Sequence, residues 1–345
     1  MAELARIMDI VLHLGVHKTA STYLQSLLEK NIVPLERHCI GFANPKTLRP
    51  MFAIAPRRTF TTSRSARNDA RAWALRQMID KAHDLQRRRL IISEEQLIGS
   101  LRPLFSGKGL YREISRELRG VVTALQGQPV KVMLAVRSYD TFLTSAYGQV
   151  LSGWKYIRFS KELREHLLRE GRGWPEIVTE IMQVLPKGST LKLWEYERFG
   201  LEERNILGHM VGDEVAEELK SPDNKPRVGP SQEGIAALDS IAVSGSPPDV
   251  EEIRRTLRKF GKDKGFPGYS PWSASEKSML EDRYAQDIEL IRCLWPEAMI
   301  SEPKLPCAVS ETVPVAQQLE VATARTPLTN LQRRISYRRP VPDTF

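Results

Sequence analysis

Residues 10–25 read IVLHLGVHKTASTYLQ, and the order of residue types along this stretch decides the fold. Ile10 to Leu14 is a short apolar run rich in strand formers, Gly15 to Thr22 is small, hydroxylated and basic, and Leu24, Leu27 and Leu28 recur at helical spacing. The stretch therefore predicts a buried strand, a loop and a helix. A helix begins with N–H groups that have no intrahelical acceptor and with the positive end of its dipole. A loop that brings Lys18, Thr19, Ser21 and Thr22 to that point forms a cradle for an anion. The Walker spacing is not met, because His17 rather than glycine precedes Lys18. The plainer alternative is that Gly15 makes a turn and Thr22 caps the helix.

Units of the same kind follow. Trp73, Leu75, Met78, Ile79, Ala82 and Leu85 fit one face of a helix bounded by three arginines, and Leu90 to Ile92 reads as a buried strand ending at Ser93, Glu94 and Glu95. A helix carrying Leu110, Ile114, Leu118, Val121 and Leu125 precedes a turn at Gly127 to Pro129 and a strand, Val130 to Val136, that delivers Arg137. Leu191 to Tyr196 reads as another strand, and Phe159 to Leu168 and Trp174 to Leu185 as amphipathic helices. Such alternation predicts an α/β fold in three layers, with a mostly parallel central sheet flanked by helices and a helical C-terminal part. Ligands of such sheets bind beyond the carboxyl ends of the strands, where the three polar segments fall. Further on, Ile235 to Val243 reads as a helix, and Ser273 with Glu276 forms a capping box for another. Residues 1–300 are read as one domain and 301–345, rich in Pro and Thr with paired arginines, as a flexible tail.

A formal net charge of +9 suits a polyanion, a nucleotide or an anionic membrane surface, or is simply a solvated face. Cys39, Cys293 and Cys307 are too scattered for a zinc site or a disulfide framework, so a reducing cytoplasm fits best. Ile7 to Leu14 is too short, and too interrupted by Asp9 and His13, for a signal peptide. No run of about 18 apolar residues marks a membrane span.

Leu12 to Gln25 resembles the 5′-phosphosulfate loop of bacterial carbohydrate-type sulfotransferases, a family with a P-loop NTPase-like fold that uses 3′-phosphoadenosine 5′-phosphosulfate (PAPS) and releases PAP. The resemblance implies that Lys18 contacts the bridging oxygen and the 5′-phosphate, and that Thr19, Ala20, Ser21, Thr22 and Tyr23 line the donor. The family has glycine where this chain has Ala20, so a methyl group there calls for negative φ. Val136 to Tyr147 resembles the family's 3′-phosphate site, which assigns Arg137 and, eight positions later, Ser145 to one phosphate. Lys225 to Gly229 resembles the basic segment that closes over that phosphate, adding Arg227 and Gly229. Leu193 to Glu197 resembles a strand end of the family, with Tyr196 and Glu197 equally readable as structural.

Sulfuryl transfer to a hydroxyl needs a base for the acceptor proton and a cation for the departing phosphate; Lys18 supplies the second. Ser93-Glu94-Glu95 resembles the family's Ser-Ser-Glu strand end, aligning Glu95 with its glutamate and putting Glu94 in a serine's place. Glu95, Glu94 and His17 are the candidate bases, with only one of the two glutamates expected to face the site. No metal is expected. The acceptor is read as a hydroxyl on a carbohydrate, a glycolipid or a small metabolite. Its loops are placed at Ala43 to Thr62 and Gly148 to Ser160, where Trp154, Tyr156 and Arg158 suit a sugar or a packed helix. The rivals are a nucleotide-dependent kinase or NTPase, a non-catalytic polyanion-binding module, for which no nucleic-acid motif is present, and a family member that binds the donor without transferring.

Overall fold

The computed structural model describes residues 8–55, 63–223 and 229–300. The chain divides into Met1–Lys304 and Leu305–Phe345, and every described residue lies in the first unit. The tail expected at 301–345 is outside the described residues. In chain order the elements are β1 (Asp9–His13), α1 (Ser21–Lys30), α2 (Ile32–Arg37), β2 (Ile40–Ala43), α3 (Pro45–Ile54), α4 (Ser63–Asp84) and β3 (Arg89–Ser93). Then come α5 (Ile114–Glu117), α6 (Arg119–Leu125), β4 (Lys131–Val136), α7 (Tyr139–Gly153), α8 (Lys161–Leu168), α9 (Trp174–Val184) and β5 (Thr190–Glu195). The last are α10 (Phe199–Val211), α11 (Asp213–Glu218), α12 (Gln232–Ser244), α13 (Val250–Lys259) and α14 (Ala274–Leu294).

All five strands are parallel, in the order β2-β3-β1-β4-β5. The strands are apolar on both faces, as a sheet covered on two sides requires. Successive side chains go to opposite layers: Ile10 and Leu12 of β1 join Leu90, Ile92, Val132 and Leu134 in one core, against α4, α6, α7, α9 and α14. Val11, Ile91, Met133, Ala135 and Trp194 join the other, against α1, α2, α10 and α11. This is the three-layer α/β fold predicted from residues 10–25. From β1 the chain goes outward to β2, whereas β3 connects across β1 to β4, so the connections diverge above β1 and leave a crevice at the carboxyl ends.

Three expectations need correction. The acceptor loop placed at Ala43 to Thr62 contains α3, which Asn44 caps by accepting from the Thr47 N–H at 3.1 Å, with Pro45 in its first turn; residues 56–62 are outside the described set. Gly148 to Gly153 likewise belongs to α7. Cys293 in α14 is disulfide-bonded, so cysteine spacing no longer argues for a reducing compartment, while Cys39 is a free, exposed thiol. None of the described helices is long and apolar enough to cross a membrane.

Candidate functional site

Strand β1 ends at His13, in register with Ser93 of β3 and Met133 of β4, so the loop after it emerges from the middle of the sheet. Its backbone turns back through left-handed conformations at Gly15 (φ 41), Lys18 (φ 68) and Ala20 (φ 63). Ala20 therefore does not keep the negative φ expected of it, and the cost is about 1–2 kcal/mol for each non-glycine residue so placed. Gly15 has a second reason to lack a side chain: a Cβ there would stand 2.3 Å from Ser21 Oγ. Ala20 is the N-cap of α1 and its carbonyl accepts from Tyr23 and Leu24, at 2.9 and 3.1 Å. An alanine offers no side-chain acceptor, so no N-cap side chain satisfies the first-turn N–H groups of α1.

The hydroxyls of the loop divide. Thr19 is buried and donates to the Val16 carbonyl at 2.5 Å, and Tyr23 donates to Glu203 of α10 at 3.1 Å. The hydroxyls of Thr19 and Tyr23, both expected to line the donor, are thus already bonded within the protein. Thr22 is exposed. Ser21 is buried, and its Oγ, like the Nε2 of buried His13, has no partner among the described residues.

Arg137 follows β4 and is fixed from several sides. Its carbonyl accepts from the Trp174 indole at 2.9 Å, and its guanidinium lies over the Tyr196 ring, 4.2 Å from the centroid. Nε donates to Thr141 Oγ1 at 3.0 Å and Nη1 to the Lys18 carbonyl at 2.6 Å, leaving Nη2 without a partner among the described residues. The arginine thus leans along α7, where Thr141 and Ser145 succeed it at intervals of four, and it touches the β1 loop directly. Ser145 is half-buried on that face. One turn on, Gly148 admits Pro230, whose Cδ would lie 2.5 Å from a Cβ, so Pro230 packs on α7. Arg227 is outside the described residues. Tyr196 and Glu197 prove to support Arg137: Glu197 accepts from the Ser138 N–H at 3.0 Å and from Tyr284 at 3.0 Å.

At the end of β3 the two glutamates are not separated by strand alternation, because the strand stops at Ser93 and Glu95 opens a short 3-10 turn. Glu94 is fully buried; Arg49 of α3 grips both its oxygens at 2.8 Å, and it accepts from the Gln96 N–H at 3.0 Å. That geometry makes Glu94 a structural anchor, which corrects its place among the bases. Glu95 keeps 19% of its side-chain exposure and is held more loosely, by Arg49 at 3.2 Å and Gln25 of α1 at 3.2 Å. Gln25 also reaches Ser93 at 3.1 Å, and Ser93 pairs with His13 Nδ1 at 2.8 Å, which ties the first helix to the β3 end.

His17 is buried and its Nδ1 lies 2.7 Å from the Tyr111 hydroxyl. Burial pushes its pKa down to about 4; Arg49 and Lys18 push the same way, against Glu94. Its ring is therefore neutral at pH 7. Tyr156, read as a possible acceptor contact, is tied to Asp239 of α12 at 2.7 Å, while Trp154 lies under Lys155 and Arg102. Among the described residues, no group of three or more His, Cys, Asp or Glu could hold a metal ion. Compared with known proteins, the chain matches no family model and no curated protein.

Proposed function

We propose that this chain is a sulfotransferase that takes PAPS as donor and an acceptor hydroxyl on a carbohydrate or glycolipid. The observation that carries the reading is the bond from the Arg137 guanidinium to the Lys18 carbonyl, which joins two candidate anion sites from separate strand ends. The donor fits the residues: the buried, unpaired Ser21 hydroxyl, the uncapped start of α1 and the left-handed turns at Lys18 and Ala20 suit an anion close to the backbone. When bound, the donor supplies an activated sulfuryl group.

In this reading Lys18, Ser21, Thr22 and the first-turn N–H groups hold its 5′ end, and the Lys18 ammonium balances charge on the departing phosphate. Arg137, through Nη2, and Ser145 hold the 3′-phosphate, and the segment ending at Gly229 closes over it. Glu95 takes the acceptor proton. It is the accessible carboxylate of its pair, Glu94 being saturated by Arg49, while His17 is buried with its Nδ1 against the Tyr111 hydroxyl.

Isothermal calorimetry tests this. The protein should bind 3′,5′-adenosine bisphosphate without metal and far more tightly than 5′-AMP, and Lys18→Ala and Arg137→Ala should each weaken binding about 100-fold, the scale of a lost charge-assisted contact. Equal affinity for the two nucleotides removes the reading, and magnesium-dependent ATP turnover would replace it with a kinase or NTPase. Transfer of radiolabelled sulfate to a glycan panel then identifies the acceptor.

A further inference from the structure

Beyond Tyr111 lies a cleft of about 490 Å³, bounded by α4, the segment after β3 and residues 103–117. Five cationic side chains line it, Arg67, Arg71, Lys108, Arg112 and Arg116, against two carboxylates, Glu113 and Glu117. Both carboxylates are already engaged. Glu117 pairs with Arg71 at 2.6 Å and with Arg67 at 3.4 Å, and Glu113 with Arg116 at 2.7 Å.

The cations differ in how firmly they are held. Arg71 is buried and donates as well to the carbonyls of Gln96, at 2.9 Å, and Glu117, at 3.0 Å, so it forms a fixed floor. Arg112 meets Glu170 at 3.0 Å yet stays 56% exposed. Lys108 is exposed, with no ion-pair partner among the described residues. The cleft therefore presents surplus positive charge over a rigid base, in a volume typical of small-ligand sites.

Its position ties it to the proposed chemistry. The hydroxyl of Tyr111, one of its walls, lies 2.7 Å from His17 in the β1 loop, and Gln96, another, directly follows Glu95. A neutral sugar would make no use of the surplus cations. Carboxylate or sulfate oxygens match guanidinium forks and a mobile ammonium.

We propose that this cleft is the acceptor subsite and that it selects a saccharide bearing carboxylate or sulfate groups. The inference rests on the transferase reading for the word acceptor, while the preference for acidic sugars stands on the cleft alone. The test is calorimetry on the full chain saturated with 3′,5′-adenosine bisphosphate, using oligogalacturonate, a sulfated oligosaccharide and an uncharged malto-oligosaccharide of equal length. At least one acidic probe should bind about tenfold or more tightly than the neutral one, less so at high salt, and the stronger of the two tells carboxylate from sulfate. Lys108→Glu combined with Arg67→Gln should abolish most of that preference while leaving nucleotide affinity unchanged, which also shows that the variant is folded. Equal affinity for acidic and neutral probes overturns the proposal. So does a preference that survives the double variant, or an oligonucleotide bound as tightly as the acidic sugars, which would mark a diffuse polyanion face. Should the nucleotide fail to bind while the acidic preference persists, the donor reading falls and the saccharide site stands.

Discussion

The segments that follow β1 and β3 leave adjacent strands of one sheet, yet they handle polar groups in opposite ways. After β1 the chain buries Ser21 Oγ without a partner among the described residues and holds Lys18 and Ala20 in left-handed backbone. After β3 it buries a whole carboxylate, Glu94, and surrounds it with a bidentate arginine and a backbone N–H. The first arrangement costs stability; the second satisfies its buried charge within the protein. Two loops at the same edge thus differ, one leaving a buried hydroxyl unsatisfied among the described residues and the other a completed scaffold.

The largest effect should come from spoiling the completed side. Arg49→Met leaves the Glu94 carboxylate buried without its cation and should cost about 3 kcal/mol in urea unfolding, at the low end for a broken buried pair because Arg49 itself is partly exposed. Glu94→Gln keeps the shape and should cost less, with nucleotide binding intact. If Glu94→Gln abolished sulfate transfer while stability held, the scaffold role would pass to Glu95 and the division between the two segments would fail.

Beneath Arg137 the comparison acquires a third member. Asp287 of α14 accepts from the Tyr139 hydroxyl and, at 3.1 Å, from the Trp174 N–H; Tyr139 also stacks on Trp174, whose indole holds the Arg137 carbonyl. Burial is the main reason that the Asp287 pKa rises from 3.8 to about 6. The folded protein then binds this proton more tightly than the unfolded chain. Its contribution is fully present below the ordinary value and is lost as pH rises through about 6, a change on the order of 3 kcal/mol. Asp287→Asn should flatten that part of the stability–pH curve. A variant curve parallel to that of the wild type from pH 4 to 6 would mean that Asp287 ionises in solution as freely as an exposed carboxyl.

Much of this was legible in the sequence. Continuous apolar runs and period-3.6 patterns marked four of the five strands and most of the helices, because a two-sided parallel sheet needs apolar runs between amphipathic helices. Strand β2 was missed because Ile40–Ala43 is only four residues long, and α3 because Pro45 and Pro50 imitate a loop. Residue types located Lys18, Arg137 and Glu95, but could not show which polar atoms were already spent. Thr19 and Tyr23 look available until Val16 and Glu203 are placed beside them, and Glu94 until Arg49 arrives from forty-five positions away. The basic cleft was invisible for the same reason, since its cations come from α4 and residues 108–116 and meet only on folding.

The smallest effect tests the open loop itself. At φ 63 the Ala20 methyl costs about 1–2 kcal/mol, and glycine removes that cost while adding about 0.4–1 kcal/mol of chain entropy to the unfolded state. Ala20→Gly should therefore stabilise by about 0.5 kcal/mol, with nucleotide affinity unchanged, since the N–H groups stay where they are. Gln86→Gly, at φ 52 on an exposed turn far along the chain, is the matched control and should gain a similar amount. Lys18→Gly should gain as much stability and lose the nucleotide, because there the strained backbone carries the cation. If Ala20→Gly destabilised where Gln86→Gly did not, the loop in solution would hold Ala20 at negative φ, and the cradle that sets it apart from the β3 end would not be preformed.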